Sequence, residues 1–419
     1  MKFAFPILCL LAASAAAQSF RAGAARVDIT PARDAKLRMS GYGGRTEPFQ
    51  EIRDSIHVRA LVLDDGSARV AIVIADLIGF AEPLWKRIAG RVAEELAVPI
   101  EHVMLAGTHT HAAPTLGRGS DDPDASGADA YAAQVESKVI DAVRQARAAM
   151  CPARIGAGAG KANVNVNRRA RMADGSYWLG RDPDGPSDKT LAVVKFETLS
   201  GETIAVFMNY AVHGTVYSAK NYRISGDLPG AAARRLEERL GGNAVAIWTS
   251  GAAGDQAPIY NRAENHNDVD VQGRILADEA FRVAGTLRMN DRVRLAGLQK
   301  VVTCPGQKAV PAEKGHPSAE YRFEAGPEVN IRLSLLMLGK IALTGVSAEV
   351  LTNIAQRLKR ESPFTNTIMV THANGSSGYL PDDAAWDRVS YEIVSARVKR
   401  GCAEKAVVNG LLELMDACR

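Results

Sequence analysis

Long apolar runs, aromatic residues and cysteine are all scarce in this chain, and each scarcity removes a class of protein. Apart from residues 3–13, no apolar stretch approaches the roughly 20 residues needed to cross a bilayer, so no transmembrane segment is expected in the mature chain. Aromatics are 6% of the 419 residues, and no apolar stripe separates itself from the core as a binding groove. The five cysteines, at 9, 151, 304, 402 and 418, stand too far apart for a metal cluster and suit structural disulfides instead. An excess of one charge is missing too. With 51 basic against 47 acidic residues and the basic ones dispersed, the net +4 argues against a nucleic-acid partner. The densest basic cluster, Arg168-Arg169-Ala170-Arg171, reads as a solvated loop. No Pro/Gly/Ser-rich linker divides the chain, and only the polar segment 119–129 reads as disordered, so a single domain is expected over residues 18–419.

The N-terminus supplies a compartment. Lys2, the apolar run 3–13 and Ala15-Ala16-Ala17 before Gln18 match a cleavable secretory signal, residues 1–17, cut after Ala17. The expected location is therefore secreted or periplasmic, where four cysteines remain to pair once Cys9 has left with the signal. Cys402 with Cys418 is the pair expected first.

Three similar segments organise the rest, each reading hairpin, polar residue, helix, strand, polar loop. In the first, β-rich runs at 58–63 and 69–74 flank Asp64-Asp65-Gly66, a strong hairpin signal. Asp76 follows, then a helix over 82–96 with Leu84, Ile88, Val92 and Leu96 on one face. A strand over 102–106 leads to His109-Thr110-His111. The second segment has strands 190–197 and 203–208 around Ser200-Gly201, then His213, a helix over 228–240 and a strand over 244–249 running into Asp255. The third turns at Leu338-Gly339, reaches Glu349, and continues as a helix over 350–359 and a strand over 367–371 that opens onto residues 372–379. The predicted fold class is α/β: mixed, hairpin-rich sheets flanked by helices, built from three internal pseudo-repeats.

Ligands scattered this widely can meet only if the segments bring their ends together. An extended His-x-His presents two imidazoles to one side, and His with carboxylate is a common zinc donor set. Each residue also has a plain reading. His111 and His109 can be ordinary hydrogen-bonded histidines, His213 a buried one, Glu349 a helix N-terminal carboxylate, and Tyr379 a packed aromatic. Their shared place in the three segments favours one composite site. Elsewhere, Asp182-Pro183-Asp184-Gly185 reads as a turn, His266 as a surface residue, and His57 and His102 as structural residues in strands. The alternating glycines of 156–160 lack the context of a nucleotide loop.

At these positions the chain resembles the neutral/alkaline ceramidase family of zinc-dependent amidases. The matching pieces are Thr108-His109-Thr110-His111 with Ala112-Ala113-Pro114, Asn167-Arg168, His213-Gly214-Thr215, Gly226-Asp227-Leu228-Pro229-Gly230 and Gly254-Asp255-Gln256-Ala257-Pro258. Beyond them come Glu349 with Ala355-Gln356-Arg357-Leu358, Gly378-Tyr379-Leu380-Pro381 and Tyr391-Glu392. The resemblance implies zinc held by His109, His213, Glu349 and Tyr379, with His111, Arg168 and Tyr391 as catalytic residues around it. It also implies an N-acyl amide, ceramide-like or otherwise lipid-like, as substrate. Two departures are visible: Ala257 stands where the family usually has serine, and the additional C-terminal β-domain of longer members is not expected here.

Metal-activated water is then the expected nucleophile, since zinc lowers the pKa of bound water to roughly 7. His111 is assigned the proton transfer, Arg168 and Tyr391 the oxyanion, and Asp76 and Asp255 either the orientation of histidines or plain loop capping. A metal-dependent esterase or lactonase, and a non-catalytic ligand-binding relative, are the alternatives.

Overall fold

A computed structural model of the chain describes residues 19–117, 125–261, 266–310 and 320–419. The signal sequence and positions 119–124 of the polar segment lie outside the described residues. From Ala125 that segment is helical, part of Ala125–Ala148.

Two sheets carry the architecture. The larger has eight strands, in the spatial order Val245–Ser250, Thr203–Tyr210, Thr190–Thr198, Cys151–Lys161, Arg21–Asp28, His57–Asp64, Arg69–Ala75, Val103–Gly107. The smaller has four: Leu295–Val310, Arg322–Leu338, Ile341–Val346 and Asn366–Val370. Strand alternation decides how they stack, because successive side chains face opposite ways. Leu61, Leu63, Ile72 and Ile74 join Phe196, Phe207 and Ile247 against Leu336, Leu338, Leu343 and Ile368 of the smaller sheet. Their alternates Val58, Ala60, Val62, Ala71 and Val73 meet the helices Glu82–Leu96, Ala125–Ala148, Asp227–Leu240 and His266–Ala284. On the far side, Leu333, Leu335 and Met337 pack on Thr352–Glu361 and Ala403–Asp416. The layers run helices, sheet, sheet, helices, a mixed α/β fold.

The order of pairing is the same in three places. A hairpin is followed by a helix and then by a strand lying parallel to the hairpin's second strand. Asp64↔Arg69 closes the first hairpin, and Ala75↔Gly107 ends its parallel pair. The corresponding parallel pairs end at Tyr210↔Ser250 and at Gly345↔Val370. The ends are then sewn to one another. Ser250 Oγ donates to the Thr108 carbonyl at 2.9 Å. The Thr371 N–H donates to the Ser250 carbonyl at 2.9 Å, and Asn374 receives the Leu105 N–H on its Oδ1 at 2.8 Å.

Several local expectations are corrected. His102 closes a short 3₁₀ turn, Ile100–His102, ahead of the strand. Arg168-Arg169-Ala170-Arg171 is no loop but the end of the strand Asn165–Arg171, with Arg168 buried. His266 is half-buried, its ring nitrogens bonded to Tyr217 Oη at 2.9 Å and Arg223 Nη1 at 3.0 Å. The glycines of 156–160 lie in a strand, on the face where the helix His266–Ala284 and the residues after it approach. A Cβ at Gly160 would stand 2.0 Å from Glu279 Oε1, and one at Gly158 2.7 Å from Leu287. Asp182 behaves as a turn residue, its carbonyl accepting from the Gly185 N–H at 3.2 Å.

The disulfide is also not the expected one. Cys304 bonds Cys402 across 98 residues, while Cys151 and Cys418 are free thiols. Cys304 is fully buried in the strand Leu295–Val310, and Cys402 immediately precedes the helix Ala403–Asp416, so the bond ties the C-terminal helix to the smaller sheet. Closing so long a loop limits the unfolded chain, and replacing Cys304 by serine is predicted to cost about 2–5 kcal/mol in urea denaturation. Non-reducing peptide mapping should recover a Cys304–Cys402 cross-link with Cys418 alkylated; a Cys402–Cys418 link would contradict this pairing.

Candidate metal and catalytic centre

The sewn strand ends place the ligand-type side chains within a few ångströms. Two residues beyond its strand, His109 adopts φ 61°, a left-handed conformation that costs a residue with a Cβ. The two imidazoles therefore converge through a turn, not through the alternation of an extended strand. Their Nε2 atoms are 3.2 Å apart. Gly41, at φ 94°, lies flat against His111, where a Cβ would stand 2.4 Å from the ring.

Tautomers follow from the other ring nitrogens. His109 Nδ1 lies 2.9 Å from the Ile78 carbonyl, and His213 Nδ1 lies 2.6 Å from that of Ala253 and 3.1 Å from that of Gln256. A carbonyl only accepts, so both Nδ1 atoms carry the proton and both Nε2 atoms present a lone pair, that of His213 facing Arg168 Nη1 at 3.2 Å. Glu349 sits between them, its Oε2 3.6 Å from His109 Nε2 and 3.2 Å from His213 Nε2. It belongs to no helix. Glu349–Val350 is a short strand parallel to Tyr379–Leu380, which sets Glu349 beside Tyr379.

Four donors at zinc distances of roughly 2.0–2.2 Å form a tetrahedron whose edges are about 3.3–3.6 Å. The separations around Glu349 match that edge, and the donor types fit a cation. Tyr379 is buried, and its hydroxyl accepts from Arg168 Nη2 at 2.9 Å. Burial, with the Glu349 carboxylate adding to it, holds the phenol well above its usual value despite Arg168.

Arg168 is the other fixed charge. Its Nε donates to Glu392 Oε1 at 2.7 Å, and its Nη1 lies 3.2 Å from His213 Nε2. Burial opposes its charge, but Tyr379, Glu392 and Glu349 more than offset that, and the guanidinium stays protonated. Tyr391 packs edge-on to Tyr379, ring centroids 5.9 Å apart, and burial raises its phenol as well. Glu349 is held well below the usual carboxylate range: burial would raise it, but His109 and His213 outweigh that. His111 is held low by burial and by the neighbouring His109 and His213.

All seven residues expected at the centre are brought together. The two aspartates are not among them. Asp76 accepts from the His57 N–H at 2.9 Å and from Arg59 Nη1 at 3.0 Å. Asp255 accepts from Thr352 Oγ1 at 2.7 Å and Asn167 Nδ2 at 3.1 Å, joining the strand that carries Arg168 to the helix after Glu349. Neither bonds a histidine ring among the described residues, and of their two expected roles the structural one is seen. Two contributors were missed. Glu392 neutralises Arg168, and His372 lies stacked on His109 with ring centroids 3.6 Å apart and planes 12° apart. Thr371-His372 echoes Thr108-His109 in sequence, a signal that was available.

A cavity of about 860 Å³ opens on this cluster. His109, Glu349 and His372 line it, and Ile78, Phe80, Leu84 and Leu116 give it an apolar wall.

A family model described as neutral/alkaline non-lysosomal ceramidase, N-terminal, matches residues 20–274. The neutral ceramidase of Mycobacterium tuberculosis is 26% identical over 248 residues, which is 52% of this chain and 37% of that protein. That of Drosophila pseudoobscura pseudoobscura is 28% identical over 272 residues, 60% of this chain and 37% of that protein. The matched region thus spans little more than a third of these relatives. The crystal structure of Pseudomonas aeruginosa neutral ceramidase superposes with a TM-score of 0.74 at 17% identity, covering 96% of this chain and 75% of that one. A structure of a ceramidase complexed with C2 gives 0.76 at 18% identity, with the same coverage.

The buried imidazoles predict a pH dependence. Burial, then the Arg168 charge, pushes His213 from 6.5 down to about 4. A group whose folded pKa is depressed in this way leaves stability complete above about pH 6.5 and lost as pH falls toward 4. Urea denaturation of metal-free protein should show a lower midpoint at pH 5 than at pH 7, and His213→Gln should flatten that slope. An unchanged slope in the variant would contradict the assignment.

Proposed function

The chain belongs to the neutral/alkaline ceramidase family, and from that premise we propose that it is a zinc-dependent amidohydrolase cleaving an N-acyl amide in a secreted or periplasmic setting. The observation that carries the proposal is one Glu349 oxygen lying 3.6 Å from His109 Nε2 and 3.2 Å from His213 Nε2, on a strand paired with that of Tyr379. His109, His213, Glu349 and Tyr379 would hold the ion. Zinc bound there supplies Lewis acidity, activating water and polarising the amide carbonyl.

The chain's own groups supply the rest. His111 is neutral and has its Nε2 beside that of His109, while its Nδ1 is buried with no partner among the described residues. It accepts the proton of the attacking water and returns it to the departing amine nitrogen, since an amine leaves poorly without one. Arg168 cannot turn to follow the substrate, because Glu392 and Tyr379 fix it. A donor held in place before charge develops is what stabilises an oxyanion, and the Tyr391 hydroxyl joins it. Ala257, paired with Val166 two residues before Arg168, leaves no hydroxyl nucleophile at that position. The apolar wall of the cavity suits an acyl chain and supports a lipid-like substrate. The N-terminal sequence and the Cys304–Cys402 bond support an oxidising compartment.

Elemental analysis of purified protein, with hydrolysis of a short-chain fluorescent N-acylsphingosine on the same samples, tests this. About one zinc per chain is expected, lost together with activity in His109→Ala and His213→Ala. His111→Ala should keep the zinc and lose about 10²–10⁴-fold in kcat. Absence of stoichiometric metal from the wild type would overturn the mechanism, and zinc without hydrolysis would discard ceramide as substrate.

A further inference from the structure

His109 is held in a conformation that its neighbours must impose. A left-handed φ is unfavourable at a residue with a Cβ, and persists only where the surroundings over-determine it. Its backbone N–H is tied to the Leu77 carbonyl at 3.0 Å and its Nδ1 to the Ile78 carbonyl. Both bonds leave the ring free to pivot about the Nδ1 contact. The face of the ring is covered by His372.

The two histidines occupy the same place in different parts of the fold. Each lies two residues beyond the last residue of a strand, Gly107 in one case and Val370 in the other, and each has a left-handed φ, 61° and 55°. The backbone N–H of His372 is bonded to the Ala348 carbonyl at 3.2 Å, directly before Glu349. His372 is 8% exposed and lines the cavity.

His372, His109 and Glu349 offer ligand atoms within 4.8 Å of one another, which suggests a further ligand to the ion. The stack argues otherwise. A metal binds an imidazole in the ring plane, along the lone pair. Two rings 3.6 Å apart and 12° from parallel hold their lone pairs in separate, nearly parallel planes. A single ion lying in the plane of one would stand well outside the plane of the other. His372 is thus excluded from the coordination of any ion that His109 binds.

We propose that His372 is a positioning residue: its ring, stacked on His109, fixes the orientation in which His109 Nε2 faces Glu349 and His213, and carries the placement of Glu349 across to His109. The inference rests on the metal-centre reading above, but the stack can be tested with or without metal. What matters is the flat face of the ring, not its nitrogens. Phenylalanine should therefore replace it and alanine should not.

The test uses the mature protein with His372→Ala and His372→Phe, read in two ways. Zinc affinity by competition with a chromophoric chelator should fall about 10–100-fold in His372→Ala, as for other residues that orient a metal-binding histidine, and stay within about threefold of wild type in His372→Phe. Two-bond ¹H–¹⁵N spectra of the histidine rings in metal-free protein, with His109 assigned by mutation, should show the Nδ1-protonated tautomer in wild type and His372→Phe. In His372→Ala the Nδ1 proton stays with the Ile78 carbonyl, and the His109 ring signals should instead broaden as the ring pivots. Wild-type affinity and His109 ring signals as sharp as in wild type in His372→Ala would overturn the proposal, and so would a phenylalanine variant as impaired as the alanine one. If the wild type bound no zinc, the metal-centre reading would fall while the ring spectra still decided this one.

Discussion

The centre depends on three strand ends that are hydrogen-bonded to one another. Ser250 Oγ reaches back to the Thr108 carbonyl, and Thr371 reaches the Ser250 carbonyl through both its N–H and its Oγ1, at 2.9 and 3.2 Å. These groups are buried, where an unmade hydrogen bond costs about 1–3 kcal/mol. The three ends consequently cannot drift apart without exposing or orphaning several polar groups at once. The residues just beyond them, His109 and His372, and the turns beside them, bearing His213 and Glu349, are rigid for that reason.

Rigidity of the frame explains how unfavourable local states are tolerated. Two histidines in left-handed conformations, a guanidinium buried at the centre and a carboxylate shared between imidazoles would each destabilise an ordinary loop. Here each is balanced by a specific partner: Glu392 for Arg168, carbonyl acceptors for the two Nδ1 protons, and the His372 face for His109. A cation would add charge compensation for Glu349, since Arg168 is already paired with Glu392.

Much of this was legible in the sequence, for identifiable reasons. Hairpin signals such as Asp64-Asp65-Gly66 and the fourfold spacing of Leu84, Ile88, Val92 and Leu96 depend on local geometry, and the helix Glu82–Leu96 falls where that spacing puts it. Residues 109, 111, 213 and 349 attracted notice through their position after strands, which short-range patterns reveal. Arg168, Tyr391 and the ligand role of Tyr379 came only from resemblance, because nothing in their immediate neighbours distinguishes them from packed or surface residues. The missed features were long-range. Cys304 and Cys402 are brought together by the packing of the last helix on the smaller sheet, whereas the short spacing of Cys402 and Cys418 favoured the wrong pair. His372 escaped attention because its role is a ring face turned toward a residue 263 positions earlier, the separation of 109 and 372. Asp76 reads either as orienting a histidine or as capping a loop, because it follows a strand as the ligands do, and its bonds to the His57 N–H and Arg59 give it the structural role.

The central claim is that ligands from three separate parts of the chain meet at one metal ion. Anomalous diffraction at the zinc edge from crystals of the purified protein tests it most directly. One peak within roughly 2.0–2.2 Å of His109 Nε2, His213 Nε2 and a Glu349 oxygen is the predicted result. A peak elsewhere, or none from protein that retains full hydrolytic activity, would contradict it.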